Sequence, residues 1–349
     1  MFNLDSIVRK NIKVLKPYST ARDEFKGEAT IFLDANENSI GSPTLKWYNR
    51  YPDPFQLKVK EKISGIKQVP IENIFIGHGS DEAIDVIYRC FCEPGQDQVI
   101  ICPPTYGMYE VSANINNVDL KRIPLTKEFQ LDLPALEEAI EINTKIIWIC
   151  SPNNPSGNSL NRADIEMVLN NFDGIVVIDE AYINFSRQRS FVSDLKEYPN
   201  LIVMQTLSKA WGLAALRLGM AFASTEIVGY MNKVKPPYNI SQPVQTIALE
   251  ALEEIGQVND MIIFLVEARK QLEVDLLELD QVQKVYPSDA NFLLVQFSDA
   301  KKMYHHLLGL GIVARDRSNV LLCEECLRIT VGTEKENQSL LSAISTFPR

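Results

Sequence analysis

Short apolar runs alternate with stretches of helical periodicity along the chain from residue 74 onward. The runs that we interpret as strands are IFI (74–76), QVIIC (98–102), KIIWIC (145–150), GIVVID (174–179), LIVMQT (201–206) and LRLGMAFAS (216–224). Runs that are apolar on both faces and separated by helices are typical of a mostly parallel sheet with helices on both sides. The sequence therefore predicts an α/β fold with such a sheet at its centre.

The two ends of the chain have a different character. Residues 1–30 are polar and contain proline and glycine breakers, so we predict irregular structure there. Residues 242–279 form a long stretch of helical periodicity with one predicted break near Gly256. After it, short strands and one helix predict a smaller α+β unit. The predicted division is an N-terminal arm and small-domain segment (1–43), a large domain (44–250) and a small C-terminal domain (251–349).

Composition and charge exclude several classes of protein. Hydrophobic residues make up 46% of the chain, and the formal net charge is −10. An acidic chain has no general affinity for nucleic acids or anionic membranes. The start lacks the apolar core of a signal peptide, and no run of 18 apolar residues predicts a membrane span. We therefore expect a cytoplasmic protein with no nucleic-acid or membrane partner.

The six cysteines lie in or beside apolar runs. Without a secretory signal, this placement predicts reduced thiols in the core. Cys323 and Cys326 have the spacing of metal ligands, but no second pair accompanies them. We therefore expect no metal site.

A lysine at the end of one predicted strand carries the strongest chemical signal. Lys209 lies in TLSKAWGLAALRLG (206–219), which also contains Arg217, and the motifs SPNNPSG (151–157) and VVIDEAY (176–182) precede it. A lone lysine at a strand end is usually a solvated side chain. Together with these motifs, however, the Lys209 amine is a candidate to form a Schiff base with an aldehyde cofactor.

These motifs, in this order, resemble the pyridoxal phosphate site of fold-type I aminotransferases. The resemblance implies that Lys209 binds the cofactor and that Asp179 pairs with the protonated ring nitrogen, although an aspartate there also fits a helix N-cap. Tyr182 and Asn154 would donate to the ring oxygen. Packing alone is the alternative for Tyr182, and Asn153 is the alternative to Asn154.

The resemblance also implies a binding site for the cofactor phosphate. The glycine-containing segment GHGSDEA (77–83) joins a predicted strand to a helix, and helix starts favour anions. Ser80 and Asp81 would supply N–H groups, although Asp81 also fits an ordinary N-cap. The planar guanidinium of Arg217 would complete the site, together with Thr206 and Ser208. Tyr106 would stack on the ring, with a core aromatic residue as the alternative.

Further motifs are similar to the histidinol-phosphate branch of these aminotransferases. They are KPYSTAR, LDANEN, RYPDP, PPTYGMY and CLRITVGT, and they extend the similarity over nearly the whole chain. The branch implies that Tyr51 reaches the cofactor phosphate of a partner subunit, hence a homodimer with shared active sites. It also places Tyr18, Asn36, Arg315 and Arg328 near the substrate. Arg22 and Arg317 compete with Arg315 for the substrate phosphate, and a structural salt bridge is the alternative for Arg328.

The implied reaction is transamination between histidinol phosphate and 2-oxoglutarate, giving imidazole-acetol phosphate and glutamate for histidine biosynthesis. Two alternatives share the cofactor: an aromatic-amino-acid aminotransferase, and a decarboxylase of a phosphorylated amino acid. A third is a cofactor-binding regulator, but the basic helical extension that such a protein needs for DNA is absent from this sequence.

Overall fold

The computed structural model describes residues 2–18 and 30–348 of the chain. A seven-stranded sheet forms its centre. The strands are β1 (Ile74–His78), β2 (Gln98–Ile101), β3 (Asp119–Arg122), β4 (Thr144–Cys150), β5 (Ile175–Asp179), β6 (Leu201–Thr206) and β7 (Leu218–Phe222). Their order across the sheet is β1-β7-β6-β5-β4-β2-β3. All neighbouring pairs are parallel except those of β7, which runs antiparallel to β1 and β6.

Strand residues alternate between the two faces of this sheet, and both faces are covered. On β4, Ile147 and Ile149 belong to one hydrophobic cluster, while Ile146 and Trp148 belong to another. All four are at most 1% exposed. Because both faces are dry, the strands have the continuous apolar character from which the parallel sheet was predicted.

Helices flank the sheet and connect its strands. They are α1 (Leu4–Ile7), α2 (Lys10–Lys13), α3 (Leu57–Lys67), α4 (Gly79–Phe91), α5 (Met108–Ile115), α6 (Leu133–Ala139), α7 (Arg162–Asn171), α8 (Thr225–Val234), α9 (Gln242–Glu253) and α10 (Ile255–Leu277). Several begin at a side-chain cap. Asp132, Asn161 and Ser224 each accept a hydrogen bond from a backbone N–H in the first turn of the helix that follows.

The C-terminal part forms a smaller unit with its own core. Its sheet is antiparallel, with the order β10-β11-β9-β8. The strands are β8 (Val282–Tyr286), β9 (Phe292–Phe297), β10 (Arg315–Asp316) and β11 (Cys326–Thr330), and the helices are α11 (Ala300–Gly309) and α12 (Glu334–Ser345). Thr333 and Glu336 form a reciprocal capping box at the start of α12.

The α/β architecture and the smaller α+β unit are confirmed. The prediction of irregular structure before residue 30 is wrong in part, since α1 and α2 form there. The break in the long helical stretch lies at Glu254, between α9 and α10, and Gly256 is inside α10. The division of the chain at residue 250 stays a prediction.

No helix in the described part of the chain is long and apolar enough to cross a membrane.

Candidate active site

The candidate site lies at the edge of the large sheet where the parallel strands end. β1, β4, β5 and β6 all finish at this edge, which is where open α/β sheets bind ligands. Because β7 runs the other way, it begins at the same edge, and Arg217 directly precedes it. A cavity of about 730 Å³ opens here between the large sheet and the small C-terminal unit.

Asp179 lies at the base of this cavity, at the last position of β5. Its side chain is almost fully buried, with the residue 3% exposed. One carboxylate oxygen accepts a hydrogen bond from the Tyr109 hydroxyl at 2.7 Å, and the other accepts from the Ala181 N–H at 3.0 Å. Burial raises the pKa of Asp179, and the hydrogen bond from Tyr109 opposes that rise. The N-cap alternative has little support here, because the following segment forms only the short 3-10 turn Ile183–Phe185.

Lys209 lines the same cavity, on the connection between β6 and β7. Its Nζ lies 5.5 Å from the centre of the Tyr182 ring. Burial lowers the pKa of Lys209, and the nearby cations Arg328 and Arg217 lower it further. A larger share of this amine is therefore neutral near pH 7 than for an ordinary lysine, and only the neutral form is a nucleophile.

The structure separates the two asparagines of the SPNNPSG motif. Asn153 is buried and donates to the Pro104 carbonyl and the Ser156 hydroxyl, so it holds the loop. Asn154 lines the cavity instead, and its side-chain oxygen accepts from Arg328 at 2.5 Å. Its amide nitrogen donates no hydrogen bond within the described part of the chain. Asn154 is therefore the residue that can donate to a ligand.

A cluster of polar groups at one end of the cavity fits a phosphate. The start of α4 contributes Ser80 and Asp81, and the side chain of its N-cap residue, His78, makes no hydrogen bond to the first turn. Arg217 contacts Asp81 at 3.4 Å and the Ser208 hydroxyl at 3.5 Å. The Ser208 hydroxyl is also 3.0 Å from the Thr206 hydroxyl. These groups form an N–H and guanidinium site for an anion.

Two glycines allow the backbone segments that carry this cluster to approach each other closely. A Cβ at Gly79, whose φ is +74°, would lie 2.6 Å from the Arg217 guanidinium. A Cβ at Gly219 would lie 2.4 Å from the backbone of residues 79 and 80. Only glycine permits the start of α4 and the start of β7 to approach this closely.

Three arginines of the small unit line the opposite side. Arg315 and Arg328 face each other across the β10–β11 pair, and Arg317 is two positions beyond Arg315. Within the described residues, none of the three forms an ion pair with a carboxylate. The salt-bridge alternative for Arg328 is therefore not supported, and its guanidinium lies beside Asn154 and 5.2 Å from the centre of the Phe292 ring.

Tyr106 and Tyr182 also line the cavity. The Tyr106 hydroxyl donates to Asp81 at 3.0 Å, and the Tyr182 ring packs edge-on against Phe292. Burial raises the pKa of both hydroxyls, so both remain donors at neutral pH.

Three predicted site residues do not line the cavity of their own chain. Tyr18 is 75% exposed, Asn36 is exposed, and Tyr51 is half exposed and stacks on Tyr238 with ring centres 4.5 Å apart. Arg22 lies outside the described residues. The sequence motifs did not single out Tyr109, the hydroxyl partner of Asp179. Its only signal was a second tyrosine one helical turn after Tyr106.

The groups brought together fit pyridoxal phosphate. The cavity has a carboxylate for the ring nitrogen (Asp179), donors for the ring oxygen (Asn154 and Tyr182) and an amine for the aldehyde (Lys209). The phosphate cluster lies at one end of the same cavity.

Comparisons with known proteins agree with this geometry. The family model "Aminotransferase class I and II" matches residues 44–344. A histidinol-phosphate aminotransferase from Cytophaga hutchinsonii is 54% identical over 346 residues, covering 99% of each chain. The solved structure of the enzyme of that name from Clostridium acetobutylicum aligns with a TM-score of 0.79 at 24% identity, over 85% of this chain and 90% of the other.

A second solved structure bears on the cofactor. It is histidinol-phosphate aminotransferase from Sinorhizobium meliloti in complex with pyridoxal-5′-phosphate, with a TM-score of 0.78 and 21% identity, over 89% of each chain. At such identities the two solved structures establish the fold, whereas the full-length relative establishes the family. This chain belongs to the class I and II aminotransferases and, among them, to the histidinol-phosphate aminotransferase family.

Proposed function

We propose that this chain is a pyridoxal-phosphate-dependent transaminase that converts histidinol phosphate and 2-oxoglutarate to imidazole-acetol phosphate and glutamate. The observation that carries the proposal is one cavity in which Lys209 lies with the buried Asp179 and the Arg217 cluster. The same cavity contains three arginines that have no carboxylate partner among the described residues. The 54% identical full-length relative supports the same substrate.

Lys209 performs the proton transfer in this proposal. Pyridoxal phosphate, when bound, supplies an electron sink for the pair left when the Cα–H bond of the amino donor breaks. The Lys209 Nζ accepts that proton as a general base and then donates it again as the product forms. The lowered pKa of Lys209 suits this role, because a base works best when its pKa is near the operating pH.

In this proposal the other cavity residues hold the cofactor and polarise its ring. Asp179 keeps the pyridine nitrogen protonated, and Asn154 and Tyr182 donate to the ring oxygen. Tyr106 covers the ring. Ser80, Asp81, Thr206, Ser208 and Arg217 hold the cofactor phosphate.

The arginines of the small unit select anionic substrates. Arg328 meets either the phosphate of histidinol phosphate or the carboxylate of glutamate, because a planar guanidinium pairs well with both. Arg315 meets the substrate phosphate, with Arg317 and Arg22 as competitors. Tyr18 and Asn36 also belong to the substrate site in this proposal.

The proposal includes a homodimer in the cytoplasm. Five large apolar side chains between residues 31 and 47 are at least 73% exposed: Ile31, Leu33, Ile40, Leu45 and Trp47. Such a concentration marks a surface that another protein covers. Tyr51, whose N–H donates to Glu37 of the same segment at 2.6 Å, would reach the cofactor phosphate of the partner subunit. The six buried free cysteines agree with a reducing compartment.

The test is a substrate panel with 2-oxoglutarate as acceptor. We expect turnover with histidinol phosphate to exceed that with phenylalanine, and no carbon dioxide release from threonine phosphate. A preference for phenylalanine would favour the aromatic aminotransferase, and carbon dioxide release would favour the decarboxylase.

A lysine pair tests the chemistry itself. Lys209→Ala should reduce both half-reactions by at least about a thousandfold, because the general base is lost. It should also remove the visible absorption band that borohydride bleaches in the parent protein. Lys302→Ala, at a lysine whose side chain is 77% exposed on α11, should change neither measurement. Substantial turnover by Lys209→Ala would contradict the assignment.

A further inference from the structure

Tyr109 occupies an unusual place at the base of the cavity. It is fully buried, yet its hydroxyl donates to the Asp179 carboxylate at 2.7 Å. The other donor to that carboxylate is the Ala181 backbone N–H. Within the described part of the chain, Tyr109 is thus the one side chain that donates a hydrogen bond to Asp179.

Aromatic contacts fix the Tyr109 ring. It stacks on Trp148 with ring centres 4.9 Å apart and planes inclined by 14°. On its cavity side it meets Tyr106 edge-on, with ring centres 5.6 Å apart. The ring therefore contacts one candidate cofactor residue while its hydroxyl contacts another.

Tyr88 shows what a purely structural buried tyrosine does in this core. It is also fully buried and stacks on Trp148, with ring centres 5.3 Å apart. Its hydroxyl donates to the Tyr109 carbonyl oxygen at 2.8 Å. A backbone carbonyl is the ordinary partner for such a hydroxyl, whereas Tyr109 donates to an ionisable carboxylate.

The charged and titratable groups around Asp179 make its ionisation depend on a few contacts. Lys209 favours the carboxylate form, and Asp81 disfavours it. Burial raises the pKa values of Tyr106, Cys150 and Tyr182, so these neighbours stay neutral. A hydrogen bond donated to a carboxylate stabilises its charged form. The hydrogen bond from Tyr109 is therefore the contact that most strongly opposes the rise that burial causes in the pKa of Asp179.

We propose that Tyr109 is a positioning residue for the transamination: it keeps Asp179 ionised and oriented, and it supports the Tyr106 ring. This inference rests on the proposed role of Asp179. Tyr109 acts through Asp179 and Tyr106.

Removing the Tyr109 hydroxyl is the test. Tyr109→Phe keeps the ring and its stacking, so only the donated hydrogen bond is lost. We expect the apo-protein to bind pyridoxal phosphate about tenfold more weakly at neutral pH, measured by the visible absorption of the bound cofactor. Cofactor affinity should fall at low pH in both proteins. In Tyr109→Phe this fall should occur at a higher pH, because a carboxylate that loses a hydrogen-bond donor is protonated more readily.

Tyr88→Phe is the matched control, since it removes a buried hydroxyl bonded to a carbonyl. Its cofactor affinity and pH profile should match those of the parent protein. If Tyr109→Phe and Tyr88→Phe give the same profile, the inference is wrong. A 3-fluorotyrosine at position 109 is a stronger hydrogen-bond donor, so the fall of cofactor affinity should occur at a lower pH. If that pH does not change, the inference is wrong, even if the phenylalanine variant folds poorly.

A double-variant cycle separates this inference from the proposed function. The effect of Tyr109→Phe should vanish in an Asp179→Asn background, where there is no carboxylate to keep charged. If Asp179→Asn alone leaves cofactor binding and turnover unchanged, the proposed role of Asp179 fails. If Asp179→Asn is impaired but the effect of Tyr109→Phe persists beside it, only the role of Tyr109 fails.

Discussion

The two ends of the cavity differ in how their charges are paired. At the cofactor end, Asp179 already accepts from Tyr109, and Arg217 already contacts Asp81. At the substrate end, Arg315, Arg317 and Arg328 have no carboxylate partner within the described residues. The charges at the first end are paired within the chain, whereas the second end holds cations together and needs an anion to neutralise them. Changes at the cofactor end should therefore affect the reaction of every substrate, and changes at the substrate end should affect mainly the recognition of substrates.

Among the changes that test this comparison, the largest effect is expected at Asp179. Asp179→Asn should reduce kcat with all amino donors by about a hundred- to a thousandfold, because the preorganised negative charge is lost. Steady-state kinetics with histidinol phosphate and glutamate measure this. Glu180→Gln is the control: Glu180 is equally buried, but it bonds Ser190, Gln205 and the Phe191 N–H outside the cavity. That variant should lower stability and spare kcat.

Arg328→Gln should have the next largest effect. The variant loses a guanidinium that pairs with an anionic group of the substrate, so kcat/KM should fall about ten- to a hundredfold for both substrates. At a pH well above the onset of cofactor binding, cofactor affinity should stay close to that of the parent protein. A loss of cofactor affinity as large as the loss of kcat/KM would contradict the separation of the two ends.

Gly79→Ala tests the closeness of the phosphate cluster. The added Cβ would collide with Arg217, so we expect cofactor affinity to fall about tenfold in a titration of the apo-protein. Gly311→Ala is the control, since Gly311 has nearly the same φ, +76° against +74°, with open space around it. It should cost only the backbone strain, about 1 kcal/mol of unfolding free energy. Equal cofactor affinities for the two variants would show that the contact with Arg217 is unimportant.

A pair of variants distinguishes Arg315 from Arg317. Arg315 is the more exposed of the two, and the charge of Arg317 acts on the Tyr182 hydroxyl. We therefore expect Arg315→Gln to raise KM for histidinol phosphate about tenfold and to leave KM for glutamate unchanged. Arg317→Gln should alter KM for both substrates. The reverse pattern would assign the substrate phosphate to Arg317.

The smallest expected effect is a shift in pH dependence. After burial, the positive charge of Arg328 is the largest cause of the lowered pKa of Lys209. In Arg328→Gln that pKa should rise, because a nearby positive charge is removed. Since only the neutral amine captures the aldehyde, the pH at which the apo-protein begins to bind cofactor should increase. An unchanged or lower onset in rapid-mixing absorbance experiments would show that Arg328 does not act on Lys209.

The structure brings the residues predicted for the cofactor into one cavity more completely than those predicted for the substrate, whose roles stay predictions. Asp179, Asn154, Lys209 and Arg217 each follow or flank a strand, and strands of a parallel sheet bring such positions to one edge. The contact between Tyr109 and Asp179 was not predicted, because the direction of the Tyr109 hydroxyl depends on how α5 packs against the sheet. The short apolar pattern of β7 carries no information on strand direction. Arg315 and Arg317 could not be ranked, because β10 is only two residues long and its pattern is too short to show which side chain lies deeper.

The reversal of β7 has a consequence for how the chain can be altered. One connection, residues 207–217, carries both the Lys209 amine and the Arg217 guanidinium that line the cavity, and it joins two adjacent strands, β6 and β7. A residue inserted there changes the spacing of the two groups at once, so this segment should reject insertions. The turn at Asp173 between α7 and β5 lies at the opposite edge, and extra residues there would leave that spacing intact. A tag or a circular-permutation site is better placed at that turn.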